Sequence, residues 1–227
     1  MICKTFLESK YVLLTEAMTD YSGILSHALG KVQTIFGGSS YPIVDVQSRV
    51  DGKVYKVRDM PDKQRAADML AELRLRMNKL KIHVESKFPD KPQVKMLAKN
   101  FKAEPSRLFE STPDAEYTSY SVNKGEAVHF CLRQRGDSEN DKLVENDVMT
   151  FVAIHEMAHM ITETVGHGQD FWNNFGWLLR EAEAIGVYKH RDFREHPVSY
   201  CGMKITDQPV YDAKKDGGDI SIGTVSS

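Results

Sequence analysis

After Pro61 the apolar residues Ala66, Leu70, Leu73, Met77, Leu80 and Val84 recur at steps of 4, 3, 4, 3 and 4. That spacing is one stripe of a long α-helix. Its far side carries Arg65, Arg74, Arg76, Lys79 and Lys81, the pattern of a solvated face. Ahead of it, YPIVDVQSRVDGKVYKV alternates short β-branched stretches around Asp51-Gly52. This dipeptide supplies positive φ in a two-residue turn, so a hairpin over about 41–58 is expected. A second pair of β-rich runs, in YTSYSVNKGEAVHFCLRQR, flanks Asn123-Lys124-Gly125. It predicts strands near 117–122 and 126–133, joined by a three-residue loop with Gly125 in the left-handed region.

The most apolar stretch follows. Asn146 or Asp147 suits an N-cap, and Val148, Phe151, Val152 and Ala158 predict a helix running to about Val165. Gly166 and Gly168 break it, and FWNNFGWLLREAEAIG resumes as a second helix ending at Gly186. Residues 1–40 read as a helical arm or extension closed by GGSS, 41–206 as the main domain, and 207–227 as a loose tail.

Composition narrows the function classes. At 227 residues with 41% hydrophobic and 27% charged positions, the chain has the profile of a globular protein. Thirty Lys and Arg stand against 32 Asp and Glu, so no overall field draws in nucleic acid. Between 61 and 102, however, 11 basic residues face 5 acidic ones. That local surplus of 6 can meet phosphates or can simply be a solvated helix face. Cys3, Cys131 and Cys201 are odd in number and far apart, which suits free thiols in a reducing compartment. There is no apolar run of the roughly 18 residues that a membrane span needs, and Lys4, Glu8 and Lys10 interrupt the start where a signal peptide is apolar. The expected setting is intracellular, cytoplasmic or nuclear, with no membrane partner.

The chemistry lies in HEMAHMITETVGHG, residues 155–168. On a helix, residues four apart differ by about 40° of rotation, so His155 and His159 project towards one ion. Glu156 stands about 100° round from His155, placed to touch a water on the metal as a general base rather than to bind the metal itself. A catalytic zinc needs a third protein ligand and an open fourth position. His167, beyond the helix-breaking Gly166, is the first choice for that ligand; Glu181 and Glu183 on the next helix are the second, and His190 and His196 the third.

The run HEMAHMITETVGHGQDFW resembles the WLM and SprT-like zinc metallopeptidases, in which HExxH is followed after a short spacer by a third histidine and an aromatic residue. The resemblance covers about 144–186 well; TSYSVNKGEAVHFCLR and HPVSYCGM are similar to flanking segments of a short WLM-like group. It implies His155, His159 and His167 as ligands of one Zn2+ per chain and Glu156 as the acid/base. Phe171 and Trp172 then match the aromatic positions, where packing beneath the site is the ordinary role. Thr162 and Val165 occupy the places where metzincins need glycine and histidine, which excludes that family.

The resulting expectation is an α+β fold, a zincin-like metallopeptidase domain with a small β-sheet packed on the HExxH helix. The resemblance implies that 126–133 supplies an edge strand for the substrate, although a core strand is an equal reading of AVHFCLR. Tyr200 is a candidate hydrogen-bond donor to a developing oxyanion, and Cys201 a candidate thiolate on the metal; a buried tyrosine and a free thiol are the ordinary alternatives. The expected activity is zinc-dependent hydrolysis of peptide bonds, and the resemblance extends it to proteins bound or crosslinked to DNA. The competing reading is a non-catalytic, zinc-stabilised module that binds protein or nucleic acid.

Overall fold

The computed structural model describes residues 41–115, 117–135 and 141–209. The expected arm at 1–40 and nearly all of the expected tail lie outside them, and within that tail Gln208 is buried. The elements are β1 (Ile43–Gln47), β2 (Val54–Arg58), α1 (Lys63–Lys87), α2 (Pro92–Asn100), β3 (Leu108–Glu110), β4 (Tyr120–Val122), β5 (Ala127–Phe130), α3 (Asn146–Ile161), α4 (Gln169–Ala184), β6 (Val198–Tyr200) and β7 (Met203–Ile205).

The class is α+β. Five strands form one sheet in the order β1-β2-β3-β5-β4, and β6 and β7 pair separately. β1 and β4 run antiparallel to their neighbours, whereas β2, β3 and β5 are parallel. Alternation along the strands sends Tyr55, Val57, Leu108, Val128 and Phe130 to one face, where they are buried with the apolar side chains of the helices. The opposite face carries Lys56, Phe109, His129 and Tyr120 in register, with the His129 ring stacked between Phe109 and Tyr120.

Every residue of the α1 stripe is buried. Arg74, expected on the solvated side, is buried as well. The first half of α1 is covered broadly, and there the Arg74 guanidinium meets Asp51 Oδ2 at 2.8 Å and the Tyr55 hydroxyl at 2.8 Å. The same carboxylate explains why the first hairpin turn is wider than two residues. Asp51 accepts the Lys53 N–H, and Ser48 N–H to Lys53 O closes a loop in which Gly52 takes φ +68°. Other cations of 61–102 are also engaged: Arg76 with Thr150, Lys79 with the Ile185 carbonyl, Lys81 with Glu85 and Lys87 with Glu181. Part of the local charge surplus is therefore taken up within the fold.

Two expected boundaries move. α3 ends at Ile161 because Thr162 is extended, and α4 begins at Gln169, ahead of Phe171. Of the two readings of 126–133, edge strand and core strand, the structure gives the second: β5 lies second from the edge, because β4 pairs outside it. Among the described residues no helix is long and apolar enough to cross a membrane.

Candidate metal centre

α3 is apolar almost all round, and 13 of its 16 residues are buried, which makes it the central helix of the fold. Its last turn leaves backbone carbonyls without helical partners. Asn100 Nδ2 donates to Met160 O at 2.7 Å, Lys124 Nζ to Thr162 O at 2.7 Å, and Asn174 Nδ2 to Thr162 Oγ1 at 2.9 Å. The second hairpin takes part through Gly125, at φ +115°, where a Cβ would stand 2.8 Å from Asn100 O and 3.1 Å from Met160 Sδ. Only glycine lets that turn lie against α3. Gly166, at φ +88°, then reverses the chain and returns His167 to the helix.

These constraints bring three imidazoles together. His155 Nε2 lies 3.1 Å from His159 Nε2 and 3.2 Å from His167 Nε2. Each imidazole nitrogen has either one proton or one lone pair, so His155 Nε2 cannot satisfy both contacts by hydrogen bonding. Nitrogens around a tetrahedral zinc at 2.0–2.1 Å stand about 3.3 Å apart. The two distances from His155 are close to that spacing, and a potential ligand atom from each residue lies within 4.8 Å of the others. Among the described residues no fourth His, Cys, Asp or Glu joins them. A three-histidine set of this kind suits a zinc ion with one position left for water or substrate.

Phe171 forms the floor. Its ring centroid is 4.9, 4.3 and 4.6 Å from those of His155, His159 and His167. Trp172 is half-buried and contacts the same ring. Glu156 is 2% exposed, and its carboxylate has no protein hydrogen-bond partner among the described residues. Burial pushes its pKa up to about 8. Burial, reinforced by His159 and His167, holds His155 well below the usual imidazole range, and burial with His167 and Lys124 brings His159 down to about 3.

The alternative ligands are elsewhere. Glu181 is buried against α1, accepting from His83 Nε2 at 2.8 Å and Lys87 Nζ at 2.9 Å. Glu183 pairs with His190, and His196 is exposed. Cys131 and Cys201 are joined in a disulfide across 70 residues, which overturns the free-thiol expectation and removes Cys201 as a metal ligand. Separation along the chain misled, because the fold sets the end of β5 beside the β6–β7 turn. Cys3 lies outside the described residues. Tyr200 is buried with its hydroxyl 2.5 Å from Ser119 Oγ. Nothing local in the sequence signals Ser119, since a lone serine before a short strand carries no pattern.

These shifts set the pH dependence of the metal-free chain. Unfolded, the imidazoles take protons near pH 6.5, but folded His159 resists until about 3 and His155 also stays below its usual range, so stability is lost as pH falls through that window. Glu156 has the opposite sign: folded, it holds a proton up to about pH 8 that the unfolded chain releases near 4.5, so stability declines as pH rises between them. Among these three groups, two imidazoles outweigh one carboxyl below 6.5, and only the carboxyl acts above it. The metal-free melting temperature should therefore peak near pH 6.5. Saturating zinc should raise the curve and flatten its alkaline side, since the cation favours the Glu156 carboxylate. Thermal melts from pH 4 to 9 with and without zinc check this, and a metal-free maximum above pH 8 would contradict it.

No family model matches the chain, and no solved structure matches it. An uncharacterized protein of Acanthamoeba polyphaga mimivirus is 30% identical over 166 residues, spanning 71% of this chain and 82% of the relative. Uncharacterized proteins of Invertebrate iridescent virus 3 and Invertebrate iridescent virus 6 are 31% and 30% identical over 85 and 70 residues; the matches span 50% and 38% of those relatives. With four-fifths of the mimivirus protein matched at 30% identity, this chain belongs to the family of that viral protein.

Proposed function

We propose that the protein is a zinc metallopeptidase with a zincin-like domain, as the WLM and SprT-like resemblance implies. The observation that supports this most is the conjunction of three converging imidazole nitrogens with a buried carboxylate that has no hydrogen-bond partner among the described residues. His155, His159 and His167 hold one zinc ion, which when bound lowers the pKa of a water towards 7 and polarises a carbonyl. Glu156 accepts the proton of the attacking water as its oxygen bonds to the peptide carbon, then delivers that proton to the leaving nitrogen as the C–N bond breaks. A purely structural zinc site, closed by four protein ligands, has no use for this carboxylate.

The edge strand β4 supports a binding mode. It lies beside α3, and an extended peptide laid along its outer side is held by main-chain hydrogen bonds with little sequence preference. Proteins bound to DNA are the substrate class that the resemblance adds.

The test is hydrolysis by the zinc-loaded full chain of casein and of a DNA-bound protein, with and without DNA. Cleavage should be abolished by a chelator and restored by zinc. One zinc per chain without cleavage would favour the binding module, and failure to take up zinc would overturn the whole reading. Stimulation by DNA would support the DNA-bound substrate class; equal cleavage without DNA would remove it.

A further inference from the structure

The loop that returns His167 to α3 has little backbone support of its own. Among the described residues, no backbone group of 163–167 hydrogen-bonds to another backbone group. Side-chain contacts hold it instead. Towards its far end Thr164 Oγ1 donates to the Asp170 carboxylate in the first turn of α4. At its near end Lys124 Nζ donates to Thr162 O at 2.7 Å and to Glu163 O at 3.0 Å. These are the first two carbonyls past α3, at the helix end where carbonyls lack helical partners. One ammonium, with three donors to give, thus fixes two consecutive peptide units where the chain sets out towards His167.

Lys124 reaches this place from a turn with an uncommon backbone. Asn123 and Lys124 take φ +46° and +54°, and Gly125 takes φ +115°. The left-handed region is costly for a residue with a side chain, and a turn of this kind persists where its surroundings hold it. Here they do. Gly125 is pressed against Asn100 O and Met160 Sδ, Asn100 Nδ2 donates to Met160 O at 2.7 Å, and Asn123 Nδ2 donates to Glu126 Oε2 at 2.7 Å. The β4–β5 turn, the last residue of α2 and the last turn of α3 therefore form one joint, and half-buried Lys124 extends it to the loop.

Charge does not explain a lysine here. Its ammonium stands close enough to help hold the His159 imidazole below its usual range, and a cation in that position opposes a second cation on the histidines. What the residue supplies is the tether. Resting on the reading of the three histidines as a zinc centre, we propose that Lys124 is a positioning residue: by tying the Thr162 and Glu163 carbonyls it holds the 162–168 loop on the course that brings His167 to His155 and His159. Lys124 itself touches neither the metal nor a substrate.

The experiment measures Zn2+ affinity of the full chain by competition with a chromophoric chelator, at constant pH, and needs no substrate. Wild type is compared with Lys124→Met, Lys124→Arg, His167→Ala and the double variant Lys124→Met/His167→Ala. Lys124→Met keeps the apolar stem and loses the ammonium, and its zinc affinity should fall about 10- to 100-fold, the usual cost of disturbing what orients a metal ligand. Lys124→Arg, which can still donate to both carbonyls, should recover most of that affinity. The double variant should bind zinc no more weakly than His167→Ala alone, because the lysine acts through that histidine. Lys102→Met removes a comparable contact away from the cluster, Nζ to Ala98 O at 2.7 Å, and should leave zinc affinity unchanged. Unchanged zinc binding by Lys124→Met would overturn the positioning role, and so would tighter binding, since only the charge would then matter. Losses that multiply in the double variant would overturn it as well. A wild-type chain that takes up no zinc would overturn the metal-centre reading and this proposal with it.

Discussion

Glu156→Gln is expected to retain one zinc per chain and to lose hydrolysis by about 10²- to 10⁴-fold, the usual contribution of a general base. Glutamine has nearly the same volume, so the packing around a residue 2% exposed is kept. The amide cannot take the proton of the attacking water. A second readout tests the same carboxyl without substrate. Because the alkaline loss of stability in the metal-free chain comes from ionising a group whose pKa burial has raised to about 8, the variant should lose that limb. Melts of metal-free Glu156→Gln between pH 6 and 9 should be flat where wild type declines. Zinc-loaded Glu156→Gln cleaving peptides at the wild-type rate would remove Glu156 from the mechanism.

Glu110→Ala should cost about 3–5 kcal/mol, the range for removing one partner of a buried ion pair. In a domain of this size that is a fall in melting temperature of roughly 10 °C. Glu110 Oε1 accepts from Arg133 Nε at 2.8 Å, and Oε2 accepts the Arg58 N–H at 2.7 Å. The two side chains are only 1% and 3% exposed. Arg133 also bonds Asp62, and Arg58 bonds Asp141, so this cluster ties β2, β3 and the segment after β5 together. Its value lies in the cost of breaking it. Burial raises the pKa of Glu110 despite Arg133 beside it, so desolvation absorbs much of the attraction. The paired substitution Glu110→Met with Arg133→Leu should therefore recover most of the loss. A single variant within about 1 kcal/mol of wild type in urea unfolding would show that the cluster carries little stability.

The three-histidine cluster was legible in the sequence because its geometry is local. Two histidines four apart on a helix must share a face, and a glycine just past the helix end can turn the next histidine back. Glu181 and Glu183 were equally admissible by type. What separates them from His167 is that α1 supplies His83 and Lys87 to Glu181, while Glu183 faces His190. The α1 stripe was legible for the same local reason, and Arg74 was misread because its partners Asp51 and Tyr55 lie on another element. β3 escaped notice since three residues are too few to show a period, yet it is the middle strand of the sheet.

The sequence by itself determined α1, α3 and α4, the two larger hairpins and the three-histidine cluster with Glu156, whereas the short α2 was not legible in it. Each depends on spacing within one stretch of chain, where backbone periodicity leaves little choice. Only the tertiary structure decided that β4 rather than β5 forms the edge, that Cys131 and Cys201 meet, and that the Tyr200 hydroxyl packs against Ser119. Those are encounters between segments tens of residues apart, and which segments meet is settled by how the sheet and helices bury their apolar faces together.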